Sequence, residues 1–492
     1  MTGGCRILAL CALLAVVGVV SGKTLRRDKR FFLPQTVVDQ CDPNVGNLTF
    51  AADPNNCQVF YSCVHGWPKM ELCPGFGVYN PGSQRCEDEE AAVNDVCGHI
   101  PPSQLTAALD DVNVDAAEPC DRNRCRLPEC RCSGADIPGD LLASETPQMV
   151  LIMWDNSIRV ADYAHLYQQV FSKVDERRAR NRRLNPNGCP VAGTFFATHQ
   201  FTDYAAVQSL FKHGHEIAAN TITGTFDLYA DGWRQANAQR WSRELGLQPS
   251  MLSRFANIPD SEIRGARAPY IQPGGNQQFM AVMENGFLYD SSLVTLQMDP
   301  PIWPYTLDYL SEAGCLVKPC PTSSFRGVWE VPLVAWLDTN DTFCSNVDSC
   351  YFPNDKEEAL TLLRSNFRRH YDSNRAPFVM SLRPRWFYEA YYNLEALQEF
   401  MDELQALDDV YFVTATQALN WIRRPTRLAD VKSFDGWSCD APPPSMCDRP
   451  SLCGYFNITY RPNSEEHQGD RFFQTCNTCP AEYPWLDNPL GQ

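Results

Sequence analysis

Histidine is scarce in this chain. Eight occur in 492 residues, at positions 65, 99, 165, 199, 213, 215, 370 and 467, and no two stand three or four apart, the spacing at which two imidazoles share a metal. Cations are in deficit as well: 42 Lys and Arg face 59 Asp and Glu, a formal net charge of −17. That balance disfavours nucleic acid and anionic membranes as partners; it permits attraction to a cationic polymer or to calcium, although a plain solubility role accounts for it more simply. Long apolar runs are missing after the first 22 residues, where nothing approaches the ~20 residues a membrane span needs. No stretch has the composition of a disordered segment, and the length suits two or three domains with at least one large core.

What is present begins with a leader. Residues 1–22 carry Arg6, an apolar run from Ile7 to Val20 and the small residues Ser21 and Gly22, the pattern of a secretory signal peptide. The mature chain is therefore expected outside the cell. A basic tail over 23–40 follows, in which Arg27-Asp28-Lys29-Arg30 suits either a processing cut or a solvated end. Cysteine is abundant at 22, of which Cys5 and Cys11 leave with the leader. A high count in a secreted chain points to disulfides.

Six of these cysteines, Cys41, Cys57, Cys63, Cys73, Cys86 and Cys97, fall in one short stretch with gaps of 15, 5, 9, 12 and 10 residues. So few residues bury little core, and three bridges would supply the missing stability. Phe-Tyr-Ser-Cys-Val-His-Gly and Cys-Pro-Gly-Phe-Gly-Val-Tyr-Asn lie within it. This stretch resembles the peritrophin-A type of chitin-binding domain, a small β fold. The resemblance implies chitin, or partly deacetylated chitin, as a partner and points to Tyr61, Trp67 and Tyr79 as faces for N-acetylglucosamine. Glycosylation acceptors occur at Asn47, Asn340 and Asn457.

Residues 98–145 form an acidic linker and a cysteine-rich bridge holding Cys120, Cys125, Cys130 and Cys132. Four clustered thiols could hold zinc, but secretion favours disulfides. From 146 to 426 apolar strand-like runs alternate with helical patterns. Strands are expected at 149–154, 193–198, 216–219, 265–268, 288–291, 329–333, 377–382 and 411–414, and helices at 203–212, 276–285, 356–371 and 393–406. This alternation predicts a parallel α/β barrel with its chemistry at the C-terminal strand ends. Residues 427–492 form a cysteine-rich extension with five cysteines, so at least one must bridge elsewhere.

Arg267-Ala268-Pro269-Tyr270, Tyr289-Asp290-Ser291-Ser292, Trp303-Pro304-Tyr305-Thr306 and Trp329-Glu330-Val331-Pro332-Leu333 resemble the polysaccharide deacetylases, and most of all the invertebrate chitin deacetylases. The resemblance implies a distorted (β/α)7 barrel, so the fold class is α/β with a small disulfide-rich β module at the N-terminus. It also implies a zinc site formed by one Asp and two His, with a second Asp as base and a late His as acid. Here the base position is kept as Asp155. The metal carboxylate has become Asn156, the two ligand histidines have become Asn220 and Gly224, and Arg383 stands in place of the acid His.

With those donors gone, no metal or other cofactor is expected, and a working deacetylase would need a rebuilt zinc site. Arg267 and Asp290 are expected to pair. Arg383 is expected either to pair with Asp155 or Asp290 or to face solvent. Tyr270, Trp303 and Tyr305 are candidates to line a sugar groove, and His215, in Gly-His-Glu, is expected to be a framework residue. The reading is a secreted chitin-binding protein with an inactive deacetylase-like domain, against the alternative of a metal-dependent chitin deacetylase.

Overall fold

A computed structural model describes residues 50–52, 59–64, 67–72, 78–80, 84–87, 116–174, 180–224, 232–439, 447, 449–460, 467–486 and 488–492. The expectations for the leader, the basic tail, Asn47, Cys41, Cys57, Cys73 and Cys97 lie outside them. The chain divides into two compact units between Ile100 and Pro101, and each is described by itself.

In the first unit Phe50–Ala52, Val59–Val64 and Trp67–Leu72 form a three-stranded antiparallel sheet, and Val78–Asn80 pairs with Arg85–Glu87. Alternation along a strand sends every second side chain inward, and this corrects two expected sugar-binding residues. Tyr61 and Tyr79 are 1% and 2% exposed, and Tyr79 lies flat on Phe60 at 4.7 Å. They are the core of a unit too small to have another, and offer no open face. Trp67 opens the third strand; its side chain lies outside the described residues. Cys63 is disulfide-bonded.

The second unit is built on Gln148–Asn156, in which eight of nine residues are buried. Burial on both faces is why it reads as an unbroken apolar run without alternation. Around it seven parallel strands take the order Trp329–Glu330, Tyr289–Asp290, Gly265–Ala266, Glu216–Ala219, Thr194–Ala197, Gln148–Asn156 and Phe378–Leu382. Val410–Phe412 is an eighth parallel strand, pairing only with Gln148–Val150. The sheet curls but does not close between Trp329–Glu330 and Phe378–Leu382. Trp336 spans part of this opening, stacking on Phe378 at 5.2 Å and donating its Nε1–H to the Val379 carbonyl.

The outer helices begin where side-chain caps dictate. Asp203 accepts from Ala206 N ahead of Tyr204–Lys212, and Asp355 accepts from Glu358 N ahead of Lys356–Tyr371. The latter helix has Glu357 and Glu358 in its first turn and Arg368 and Arg369 in its last, matching its dipole. Leu360, Leu363 and Phe367 recur at three and four and face the core. Tyr392–Gln405 packs beside it.

Disulfides tie on the flanking segments. The bridge holds Cys120–Cys132 and Cys125–Cys130, so its thiols are bonded to one another rather than to a metal. Cys315–Cys320 and Cys344–Cys350 staple loops. The extension is a hairpin of Ser451–Tyr460 with His467–Thr475, held by Cys447–Cys476 and Cys453–Cys479. The fifth cysteine reaches back into the barrel as Cys189–Cys439. Among the described residues no helix is long and apolar enough to cross a membrane.

Candidate active site

The first strand ends in Asp155 and Asn156, which places a carboxylate at the barrel mouth. Asp155 is 7% exposed and Arg267 is fully buried. Arg267 Nη1 donates to Asp155 Oδ1 at 3.0 Å, while Ser381 on the seventh strand donates to Oδ2 at 3.1 Å. The guanidinium is held from every side. It donates to the Ser291 carbonyl at 2.6 Å and the Ser291 hydroxyl at 2.7 Å, and it lies 4.0 Å over the Phe196 ring. Breaking a buried pair by removing one partner is strongly destabilising, because it leaves an uncompensated charge.

The expected Arg267–Asp290 pair is not formed, because Asp155 takes the guanidinium. Asp290 instead accepts from Gln278 Nε2 at 2.9 Å and from the Ser292 N–H at 2.8 Å. Beside it on the next strand stands Glu330, also fully buried. Burial chiefly raises both carboxyls: Asp290 to about 6, Glu330 well above the usual range with the Asp290 charge adding to the effect. The pair therefore keeps a proton near neutrality. Sequence patterns do not show that the two carboxyls meet, since they come from strands forty residues apart.

At the positions that the resemblance assigns to metal ligands the side chains are spent or missing. Asn156 has φ of +86°. The Asn220 amide oxygen accepts the Thr221 N–H at 2.9 Å, so its best lone pair points at its own loop. Gly224 sits at φ +56°, and a Cβ there would come within 3.0 Å of Thr198 Cγ2. The loop is knitted without an ion. Gly224 N–H donates to Thr221 Oγ1, Thr223 donates through both N–H and hydroxyl to Glu244, and Gln248 Nε2 donates to the Thr221 carbonyl. Glu244 is fully buried, and burial raises it to about 7. A neutral amide, an occupied amide and a glycine do not fit zinc, which takes four N, S or carboxylate donors.

Arg383 pairs with neither expected partner and does not face open solvent. It lies 2.8 Å from Asp348 and donates to the Asn346 amide oxygen at 3.3 Å, both on the loop stapled by Cys344–Cys350. Burial works against its charge, yet Asp348 and Asp155 outweigh it and raise its pKa. The local cause is reach: the loop brings a carboxylate to the guanidinium, whereas Asp155 already has Arg267.

Two of the three expected groove residues are corrected. Trp303 and Tyr305 are at most 1% exposed. Trp303 stacks near Trp421 at 5.9 Å, and its backbone N–H donates to the Gly134 carbonyl, so it anchors the bridge segment. Tyr305 starts the antiparallel strand Tyr305–Thr306 that borders the sheet. Tyr270 alone of the three lies at the surface, 39% exposed, its hydroxyl donating to the Gly224 carbonyl at 3.2 Å.

The histidines do not rebuild the site. His215, His199 and His370 are buried, and burial chiefly lowers them to about 3, 3 and 4. Each is engaged at Nδ1: with the Gly193 N–H, the Tyr204 hydroxyl and the Ala376 carbonyl. They are neutral framework residues.

A small cysteine-stapled sheet followed by a curled seven-stranded barrel with a carboxylate at its mouth defines the chitin-binding and polysaccharide-deacetylase class. Residues 41–97 match the chitin binding peritrophin-A domain family. The chain is 36% identical to chitin deacetylase 8 of Bombyx mori over 393 residues, which cover 79% of this chain and 97% of that protein. It is equally 36% identical to chitin deacetylase 1 of Bombyx mori over 397 residues, 77% of this chain and 70% of that one. A solved structure of a probable polysaccharide deacetylase from Pseudomonas aeruginosa PAO1 is also similar, at 18% identity and a TM-score of 0.36 over 57% of this chain and 92% of that one. The chain belongs to the chitin deacetylase family.

Proposed function

We propose that the protein is secreted, binds chitin through residues 41–97 in a chitinous matrix, cuticle or gut lining, and carries a barrel that no longer deacetylates. The observation that carries this reading is the state of the positions where the family places its metal ligands: Asn156 neutral, Asn220 bonded to Thr221, Gly224 with no side chain to offer. A Lewis acid has no donor set there, and Arg383, anchored by Asp348, cannot serve as the acid because arginine does not give up its proton. Asp155 remains as a carboxylate, but it is bonded to Arg267 and Ser381, which gives it a structural task. In the module Trp67 is the aromatic proposed to face the sugar.

Metal analysis of the purified chain, together with acetate release from chitin oligomers in zinc or cobalt, tests the reading. Less than about a tenth of an equivalent of zinc and no acetate are expected, since metal catalysis requires stable coordination. Acetate release abolished by Asp155→Ala would establish the alternative, a metal-dependent deacetylase with a rebuilt site, for which the retained Asp155–Arg267 pair is the favouring observation. Retention on chitin beads should be lost on deleting 41–97. Calcium, attracted by the acidic surface, would appear as heat on titration at millimolar ion.

A further inference from the structure

The C-terminal hairpin carries a feature that the barrel chemistry does not use. An open cleft of about 510 Å³ lies between the hairpin and the last turn of chain, lined by Tyr455, Phe456, Thr459, Glu482, Tyr483 and Trp485 among others. Its volume suits a small ligand of one or two sugar rings. Phe456 is 70% exposed and meets Phe472, 54% exposed, edge-on at 5.4 Å. These rings lie down over Gly454, where a Cβ would come within 3.0 Å of the Phe472 ring.

The same strand carries an acceptor. Asn457-Ile458-Thr459 is a glycosylation sequence, and Asn457 has wall residues on both sides, Phe456 and Ile458. The strand bulges here: register shifts between Tyr455 and Ile458, so that Phe456 and Asn457 oppose Asp470. Asn457 takes φ +50°, its N–H is fixed to Asp470 Oδ1 at 2.8 Å, and the residue is exposed. The bulge therefore leaves the acceptor exposed, one residue from Phe456 and Ile458 of a cleft wall that also carries polar groups at Glu482 and Thr459.

We infer that the cleft receives the first two sugars of an N-glycan on Asn457, which stack on its aromatic wall. Those sugars are two β-1,4-linked N-acetylglucosamines, the repeat of chitin, so the cleft has the chemistry of a chitin subsite but is filled by the chain's own modification. Proximity decides between the sources. A sugar tethered to the residue between two wall residues has an effective concentration of roughly the millimolar range, which a free polymer end does not match. The inference rests on the proposed passage through the secretory route.

The test is made on the full chain secreted from a glycosylating host. Glycopeptide mass spectrometry reads occupancy at Asn457. An endoglycosidase that cuts between the first two sugars then reads their protection, native against denatured. We expect an occupied Asn457 whose glycan is released at least ~10-fold more slowly from native protein, the size of effect that about 1.4 kcal/mol of docking would give. Phe456→Ser, on an exposed ring, should remove the protection without unfolding the chain, and Trp485→Ala should do the same. An unmodified Asn457 in secreted protein overturns the inference, as does a native rate within about twofold of the denatured rate at a 1.4 kcal/mol-per-decade scale. Retention of the chain inside the cell would instead overturn the extracellular reading on which it rests.

Discussion

The barrel mouth holds two groups of residues with opposite histories. The supporting network is complete: Arg267 is buried with Asp155, Ser291 and Phe196 around it, and Asp290 has Gln278 and Ser292. The positions that the resemblance assigns to metal ligands hold Asn156, Asn220 and Gly224, and Thr221, Thr223, Glu244 and Gln248 are bonded to one another around the last two. The difference separates two demands on one site. On the proposed reading, ligand residues at a rim are replaceable once chemistry is not needed, because loop hydrogen bonds satisfy what remains. A buried charge cannot be released so simply, since removing one partner strands the other.

The strongest way to break this comparison is Arg267→Ala. It leaves Asp155 without its cation and should cost about 3–5 kcal/mol, read as a lower urea midpoint. Insensitivity would mean that the network is ornamental and the comparison empty.

Glu330→Gln probes the same network by pH. The buried pair holds a proton in the fold that the unfolded chain has given up, so its contribution is fully present below the unfolded carboxyl value near 4. It is lost as pH rises through about 6 and beyond. The neutral buried histidines act in the opposite direction, losing stability as pH falls from about 6.5 towards 3. The measurement is therefore the difference between variant and parent. The variant should gain on the order of 2 kcal/mol relative to the parent between pH 4 and pH 8. A flat difference would show that the two carboxyls do not share a proton.

On the other side of the comparison, Gly224→Ala should cost roughly 1–2 kcal/mol, because an L side chain at positive φ is strained and this one meets Thr198. A neutral result would mean that a side-chain ligand could still be accommodated there. Arg383→Ala should have the smallest effect, about 1 kcal/mol from the loss of the Asp348 pair, with no change in retention on chitin. A large change in retention would place the barrel mouth in the binding surface.

How far the sequence revealed this molecule depended on the kind of question. Strand positions were legible, since 216–219 and the helix over 356–371 fall where runs and three-four spacing put them. The curled, mostly parallel sheet agrees with the expected fold class. Contacts were not legible. Nothing in the text of the chain says that Ser381 meets Asp155 or that Arg383 is taken by Asp348, because partners on different strands share no spacing. Aromatics misled for a related reason. Tyr61, Tyr79, Trp303 and Tyr305 have the composition of a sugar platform, but which face of a short strand points inward is decided by packing. Glu244, which ties down Thr223, has no sequence signal that sets it apart from other acidic residues.

The Cys189–Cys439 bridge has a consequence for how the protein endures outside a cell. It spans 250 residues of chain, which include six of the seven barrel strands. A protease that nicks any one loop between these cysteines therefore leaves a single covalent molecule with its extension attached, and the cut becomes visible as two fragments only after reduction.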